Sequence, residues 1–148
     1  MCGRFLFTSG PSELAEFFGA EVDDVDLGIN YNVAPTHDVY AVIADPGQHR
    51  SIRVFEWGLI PAWSADDRRR ASLINARAET VRSKPAFRDS FARRRCIIPM
   101  NGFYEWPVPP SGASRPGSPK QPVLIEHLDG TPLAVAGLWA AWRPKGSS

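Results

Sequence analysis

Short apolar runs, broken every few residues by Gly, Pro or Asp, run the length of this chain and predict strands more often than helices. Cys2 to Phe7 reads as a first strand. Gly10-Pro11-Ser12-Glu13 has the marks of a helix start, with proline in the first turn. Leu14, Phe17 and Phe18 then fall on one helical face, and Gly19 can end the helix. Val39 to Ala44 and Ile52 to Trp57 are β-like runs separated by Pro46-Gly47, which predicts a hairpin. A second short helix is expected from Pro85, with Phe87 and Phe91 four residues apart on its buried face. Cys96 to Pro99 and Phe103 to Trp106 read as strands. Pro107 to Pro119, rich in Pro, Ser and Gly, reads as an exposed loop. Gln121 to His127 and Leu133 to Trp139 flank Asp129-Gly130, a two-residue hairpin turn. No internal repeat is visible. The sum is an α+β fold, with a mixed, mostly antiparallel sheet and a few short helices.

Composition narrows the class. A chain of 148 residues fits one domain, and 43% hydrophobic with 22% charged residues is ordinary globular usage. Eight Phe, three Tyr and five Trp supply a core. No apolar run approaches membrane-spanning length and the amino terminus is not a signal peptide, so a cytoplasmic monomer is expected. Cys2 and Cys96 make neither a disulfide framework nor a metal signature, and His37, His49 and His127 lack ligand spacing. Neither a metal nor another cofactor is expected. The net charge is +1, yet fourteen of the 17 basic residues are arginine, with triplets at 68–70 and 93–95. The planar arginine fork suits phosphate, so a basic face on a neutral protein is compatible with nucleic acid; a solvated surface run is the plainer alternative.

The candidate chemistry starts at the second residue. A small residue after the initiator lets Met1 be trimmed, which would make Cys2 the amino terminus. It would then carry an amine and a thiol on adjacent carbons. An aldehyde can form an imine with the amine, and the thiol can close on the imine carbon to give a five-membered thiazolidine. The free amine, with a pKa of about 8, is partly neutral at physiological pH, and a cation such as Arg4 beside the thiol would favour the thiolate. A small buried hydrophobe is the bland alternative for any cysteine. Three further segments read oddly for pure structure. Tyr31-Asn32-Val33-Ala34-Pro35-Thr36 suggests a rigid loop. In Ile74-Asn75-Ala76-Arg77-Ala78-Glu79-Thr80, an amide, a guanidinium and a carboxylate alternate and would share one side of an extended chain. Glu105, between Tyr104 and Trp106, would be desolvated, with a raised pKa suited to proton transfer. A salt-bridged Glu105 and a turn-forming Asn75 are the structural alternatives.

These segments together resemble one family. Cys2-Gly3-Arg4-Phe5, Tyr31 to Thr36, Trp57-Gly58-Leu59-Ile60-Pro61, Asn75 to Thr80, Arg94 to Pro99, Gly102 to Trp106 and Gly137-Leu138-Trp139 occur in the order of the SRAP (SOS response-associated peptidase) family, over residues 2 to 142. The resemblance implies a barrel-like sheet in a single domain over 1–148. It implies binding of single-stranded DNA and covalent capture of abasic sites, with a thiazolidine formed at Cys2. Glu105 is then the acid/base residue, Asn75 orients the amine or the sugar, and Arg4 and Arg77 hold phosphates. The peptidase label fits removal of Met1. Members continue past the Gly-Leu-Trp block into a segment carrying a further histidine. None of the three histidines here lies in such a block, so that segment is expected to be absent from this sequence. His37 also stands where glutamine is common. Two other function classes are open to these residues: a non-covalent binder of single-stranded or modified DNA, and a cysteine peptidase of broader range.

Overall fold

The computed structural model describes residues 2–23, 25–66, 68, 72–107 and 121–143. Two sheets form the molecule, with two short helices at their margins. In chain order the elements are β1 (Phe5–Phe7), α1 (Pro11–Phe18), β2 (Glu21–Val22), β3 (Asn30–Val33), β4 (Asp38–Ala44), β5 (Arg50–Glu56), α2 (Arg88–Arg93), β6 (Arg95–Met100), β7 (Gly102–Glu105), β8 (Val123–Glu126) and β9 (Leu133–Leu138). One sheet runs β3-β1-β7-β8 and the other β2-β5-β4-β6-β9. All pairings are antiparallel except β2 with β5, so the architecture is the expected α+β type with mostly antiparallel strands. The described strands form two open sheets rather than the closed barrel-like sheet that was expected.

Several elements follow directly from local chemistry. Gly19, at φ 57°, ends α1 in the left-handed region, where a Cβ would clash, and the backbone N–H groups of Gly19 and Ala20 cap the carbonyls of Glu16 and Ala15. At the other end Ser9 Oγ donates to Glu13 Oε1 at 2.8 Å. The expected hairpin is β4–β5, paired from Asp38↔Glu56 to Ala44↔Arg50. Its strands bury Val39, Tyr40, Ala41, Val42 and Ile52. Phe5, Leu14, Val33 and Ile52, each at most 2% exposed, stand at the centre of the core. Burying one such side chain is worth about 1.5–3 kcal/mol.

Other expectations are corrected. Only Phe5–Phe7 of the run from Cys2 has ladder partners on both sides, because β1 is central in its sheet while residues 2–4 lie beyond its regular end. Phe17 does not share the buried face of α1: Leu14 and Phe18, four apart, define that stripe, and Phe17 is 48% exposed with its ring edge-on to Phe18. The second helix begins at Arg88, three residues after Pro85, with Phe87 buried at its N-cap. Residues 30–33, read as loop, form edge strand β3 against β1. Asp129-Gly130 makes a turn but no hairpin. Asp129 Oδ1 accepts from the Thr131 backbone and hydroxyl, yet β8 pairs with β7 and β9 with β6. The two strands sit in different sheets, since Gly102 and Met100 offer the longer complementary registers. Apart from Pro107, the expected loop over Pro107 to Pro119 lies outside the described residues, as do Arg69 and Arg70. No helix among the described residues is long and apolar enough to cross a membrane.

Candidate functional site

Cys2 lies half-buried where β1 begins. Asn75, 73 positions away in sequence, donates from Nδ2 to the Cys2 carbonyl at 2.6 Å. Trp57 prepares that contact. Its ring packs on Phe5 with centroids 5.2 Å apart, and its Nε1–H donates to the Ile74 carbonyl at 3.1 Å, which fixes the residue before Asn75. Gly58 follows at φ 136°, a conformation that L side chains rarely adopt, and turns the chain out of β5 toward this crossing. Leu59 N–H then bonds the Leu73 carbonyl. The amide of Asn75 was legible in sequence; its anchor Trp57 was quoted only as part of a motif and carried no assigned role.

Glu105 reaches the same place from the other side of β1. β7 pairs with β1 through Phe5↔Phe103 and Leu6↔Gly102, and Tyr104 N–H donates to the Arg4 carbonyl at 2.9 Å. Continued by that bond, the register sets Glu105 beside Gly3, on the same side of β7 as Phe103. Glu105 is half-buried there. Burial pushes the Cys2 thiol above its ordinary value; the Arg4 backbone acts against this, and the negative charge of Glu105 raises it further. In the resting state Cys2 Sγ donates to the Arg4 carbonyl at 3.4 Å. Tyr104 also ties the strands together, its hydroxyl donating to the Tyr31 carbonyl at 3.0 Å. No single sequence signal predicted that bond.

Two expected residues stand differently. The Arg4 guanidinium donates from Nη1 to the Gly3 carbonyl at 2.9 Å, so it folds back on its own strand, and the thiol feels its backbone instead. Asn75, Arg77 and Glu79 do not share one side of an extended chain. Thr80 and Val81 both bond the Arg77 carbonyl, so the backbone coils from residue 78 onward, and all three side chains are exposed. His37 is exposed as well, its Nδ1 accepting from the Ala34 backbone at 3.4 Å. It stands beside Thr36, a β-branched residue at φ 76° whose N–H bonds the Trp57 carbonyl. Behind Cys2 a cavity of about 620 Å³ extends between the sheets, walled by Phe55, Trp57, Met100, Val135 and Trp139 among others.

Chemically, the arrangement is a thiol kept protonated by burial and a nearby carboxylate, on a residue whose carbonyl is clamped by an amide. The family model described as SOS response associated peptidase (SRAP) matches residues 1–148. Over 146 residues the chain is 37% identical to the abasic site processing protein YoaM of Bacillus subtilis, covering 96% of this chain and 60% of that one. It is 30% identical to the abasic site processing protein YedK of Escherichia coli, covering 93% of this chain and 59% of that one. A crystal structure of a Bacteroides thetaiotaomicron protein superposes with a TM-score of 0.80 at 25% identity, over 98% of this chain and 62% of that one. The chain thus spans about 60% of the length of these curated relatives.

Proposed function

The chain belongs to the SOS response associated peptidase (SRAP) family, and on that premise we propose that it binds single-stranded DNA and captures abasic sites covalently through Cys2. The observation that carries the reading is the clamp of Asn75 on the Cys2 carbonyl with Glu105 acting on the Cys2 thiol. The names of relatives that process abasic sites support the substrate class.

The reaction balances without a cofactor. Removal of Met1 frees the α-amine of Cys2, the hydrolysis to which the family's peptidase name corresponds. The amine adds to the aldehyde of the ring-opened abasic sugar, and the carbinolamine loses water to give an imine. The thiol then adds to the imine carbon while its proton passes to nitrogen, closing the thiazolidine. The net change is aldehyde plus aminothiol to thiazolidine plus one water. The loss of hydroxide needs a proton donor, and the thiol needs a base because burial keeps it protonated. Glu105 serves both steps in turn, as general acid and then as base. Asn75 holds the Cys2 backbone so that amine and thiol meet one carbon in sequence. Arg77, exposed at the exit of the same segment, contacts a phosphate of the strand beside the lesion, and Arg4 does so after leaving the Gly3 carbonyl.

The test is incubation with single-stranded DNA carrying one abasic site, followed by a denaturing gel and intact mass. The expected product resists denaturant without added reductant, has lost Met1, and is absent for Cys2→Ala. An adduct formed equally by Cys2→Ala, or binding that vanishes on denaturation for the native chain, overturns the proposal and leaves a non-covalent binder.

A further inference from the structure

Three features outside the Cys2 cluster lack an explanation in the fold. First, β8 is an edge strand with no buried face. Val123, Leu124 and Ile125 are 46%, 39% and 41% exposed, although successive side chains point to opposite sides. An apolar edge strand of this kind is a template for pairing with another chain. Second, β9 is also an edge: among the described residues its outer side has no strand partner, and residues of β9 wall the cavity behind Cys2. Third, that cavity measures about 620 Å³. Protein interiors are close-packed, and an apolar void of only about 150 Å³ already takes up benzene.

The three features adjoin. β8 ends at Glu126 and β9 starts at Leu133, so one short connection links the free edges of both sheets, and these two strands do not pair with each other. The gap between them leads to the cavity wall. A small apolar molecule would fill the cavity and leave the backbone groups of both edges unmet. A second copy joined edge to edge would satisfy one sheet and leave the void. A strand-forming polypeptide answers all three. The relatives and the superposed crystal structure carry more than a third of their length outside the match, on a fold that is otherwise shared.

We propose that the free edges of β8 and β9, with the cavity between them, form one docking surface for a strand-forming polypeptide of the kind these relatives carry outside the matched part. The partner adds main-chain hydrogen bonds to the sheet edges and places alternate apolar side chains against Phe55, Val135 and Trp139. Its docking closes the space behind Cys2 and covers Val123, Leu124 and Ile125. This inference stands apart from the covalent chemistry and holds for a chain that captures nothing.

The experiment pairs the 148-residue chain with a separate polypeptide, the portion of the Bacillus subtilis YoaM relative that lies outside the match. The expected result is a one-to-one complex on size exclusion, slowed amide hydrogen exchange in β8 and β9, and slower alkylation of Cys96, which lines the cavity. The double variant Leu124→Lys, Ile125→Lys changes only exposed positions, so its own thermal melt stays at the native value while its affinity for the partner falls at least tenfold. Should that variant melt early, exchange in the native chain decides the matter: protection of β8 and β9 on adding the partner supports the proposal, and unchanged exchange overturns it. Failure to co-elute, full affinity of a normally folded variant, or a chain that alone sediments as a dimer with β8 protected each overturns it too.

Discussion

Asn75 grips the backbone of Cys2, not its thiol, and this decides what each residue of the cluster can be asked to do. Asn75→Ala removes a positioning bond, so adduct formation should slow by roughly 10- to 100-fold in single-turnover assays while DNA affinity is retained. An unaltered rate would assign the amide to the fold alone. Glu105 raises the pKa of the Cys2 thiol through its charge, so Glu105→Gln should lower that pKa. The pH profile of Cys2 alkylation should therefore move toward lower pH in the variant. Crosslinking should nevertheless slow by roughly a hundredfold, because glutamine cannot pass a proton. Easier ionisation together with slower capture distinguishes a proton shuttle from a merely structural carboxylate. Arg77 is exposed, and Arg77→Ala should reduce the log–log salt slope of single-strand binding by roughly 0.7, the share of one phosphate contact. A slope that does not change would remove Arg77 from the interface.

At the scale of elements, local chemistry located the strands and helices better than it located their partners. The α1 boundaries follow from Pro11 and Gly19, and the β4–β5 hairpin from two β-branched runs around Pro46-Gly47, because those signals act within a few residues. Asp129-Gly130 shows the limit. It turns the chain as expected, but the strands on either side answer to β7 and β6, whose registers lie far away in sequence. The β6–β9 pairing has its own sequence requirement at Gly137. A Cβ there would come within 2.8 Å of Ile98 Cγ1 and 2.9 Å of Cys96 Sγ. Gly137→Val should destabilise the protein by about 1–3 kcal/mol in a chemical denaturation series, through overpacking across these two strands. A native midpoint would mean that the edge strand simply shifts outward.

For the whole molecule, stability above neutral pH should depend on Cys96. Burial pushes this thiol from its ordinary 9.0 up to about 11. Between those values the unfolded chain has released the proton and the folded chain still holds it. The unfolded state then binds fewer protons, so stability is complete below about pH 9 and is lost as pH rises toward about 11. The slope from one such group is at most about 1.4 kcal/mol per pH unit. Denaturation series from pH 8 to 11 should show this loss in the native chain and a shallower one in Cys96→Ala. Identical slopes would mean that the thiol reaches solvent, as an open cavity without its partner would allow.

The sequence by itself determined the class of fold, most element positions and the identities of Cys2, Asn75 and Glu105, because periodicity, turn residues and short motifs are local. It misjudged whatever depended on distant partners. The alternation of Asn75, Arg77 and Glu79 implied one shared side, but backbone bonds to the Arg77 carbonyl coil the chain there. Arg4 suggested a cation for the thiol, but its guanidinium found the nearer Gly3 carbonyl. Tertiary structure alone decided that Trp57 would fix Ile74 and so present Asn75 to Cys2, and that the β1–β7 register would bring Glu105 to the thiol. It also left β8 and β9 as edges of separate sheets. The physical reason is common to all of these: strand registers and side-chain anchors are settled by competition among surfaces far apart in the chain, which no local pattern encodes.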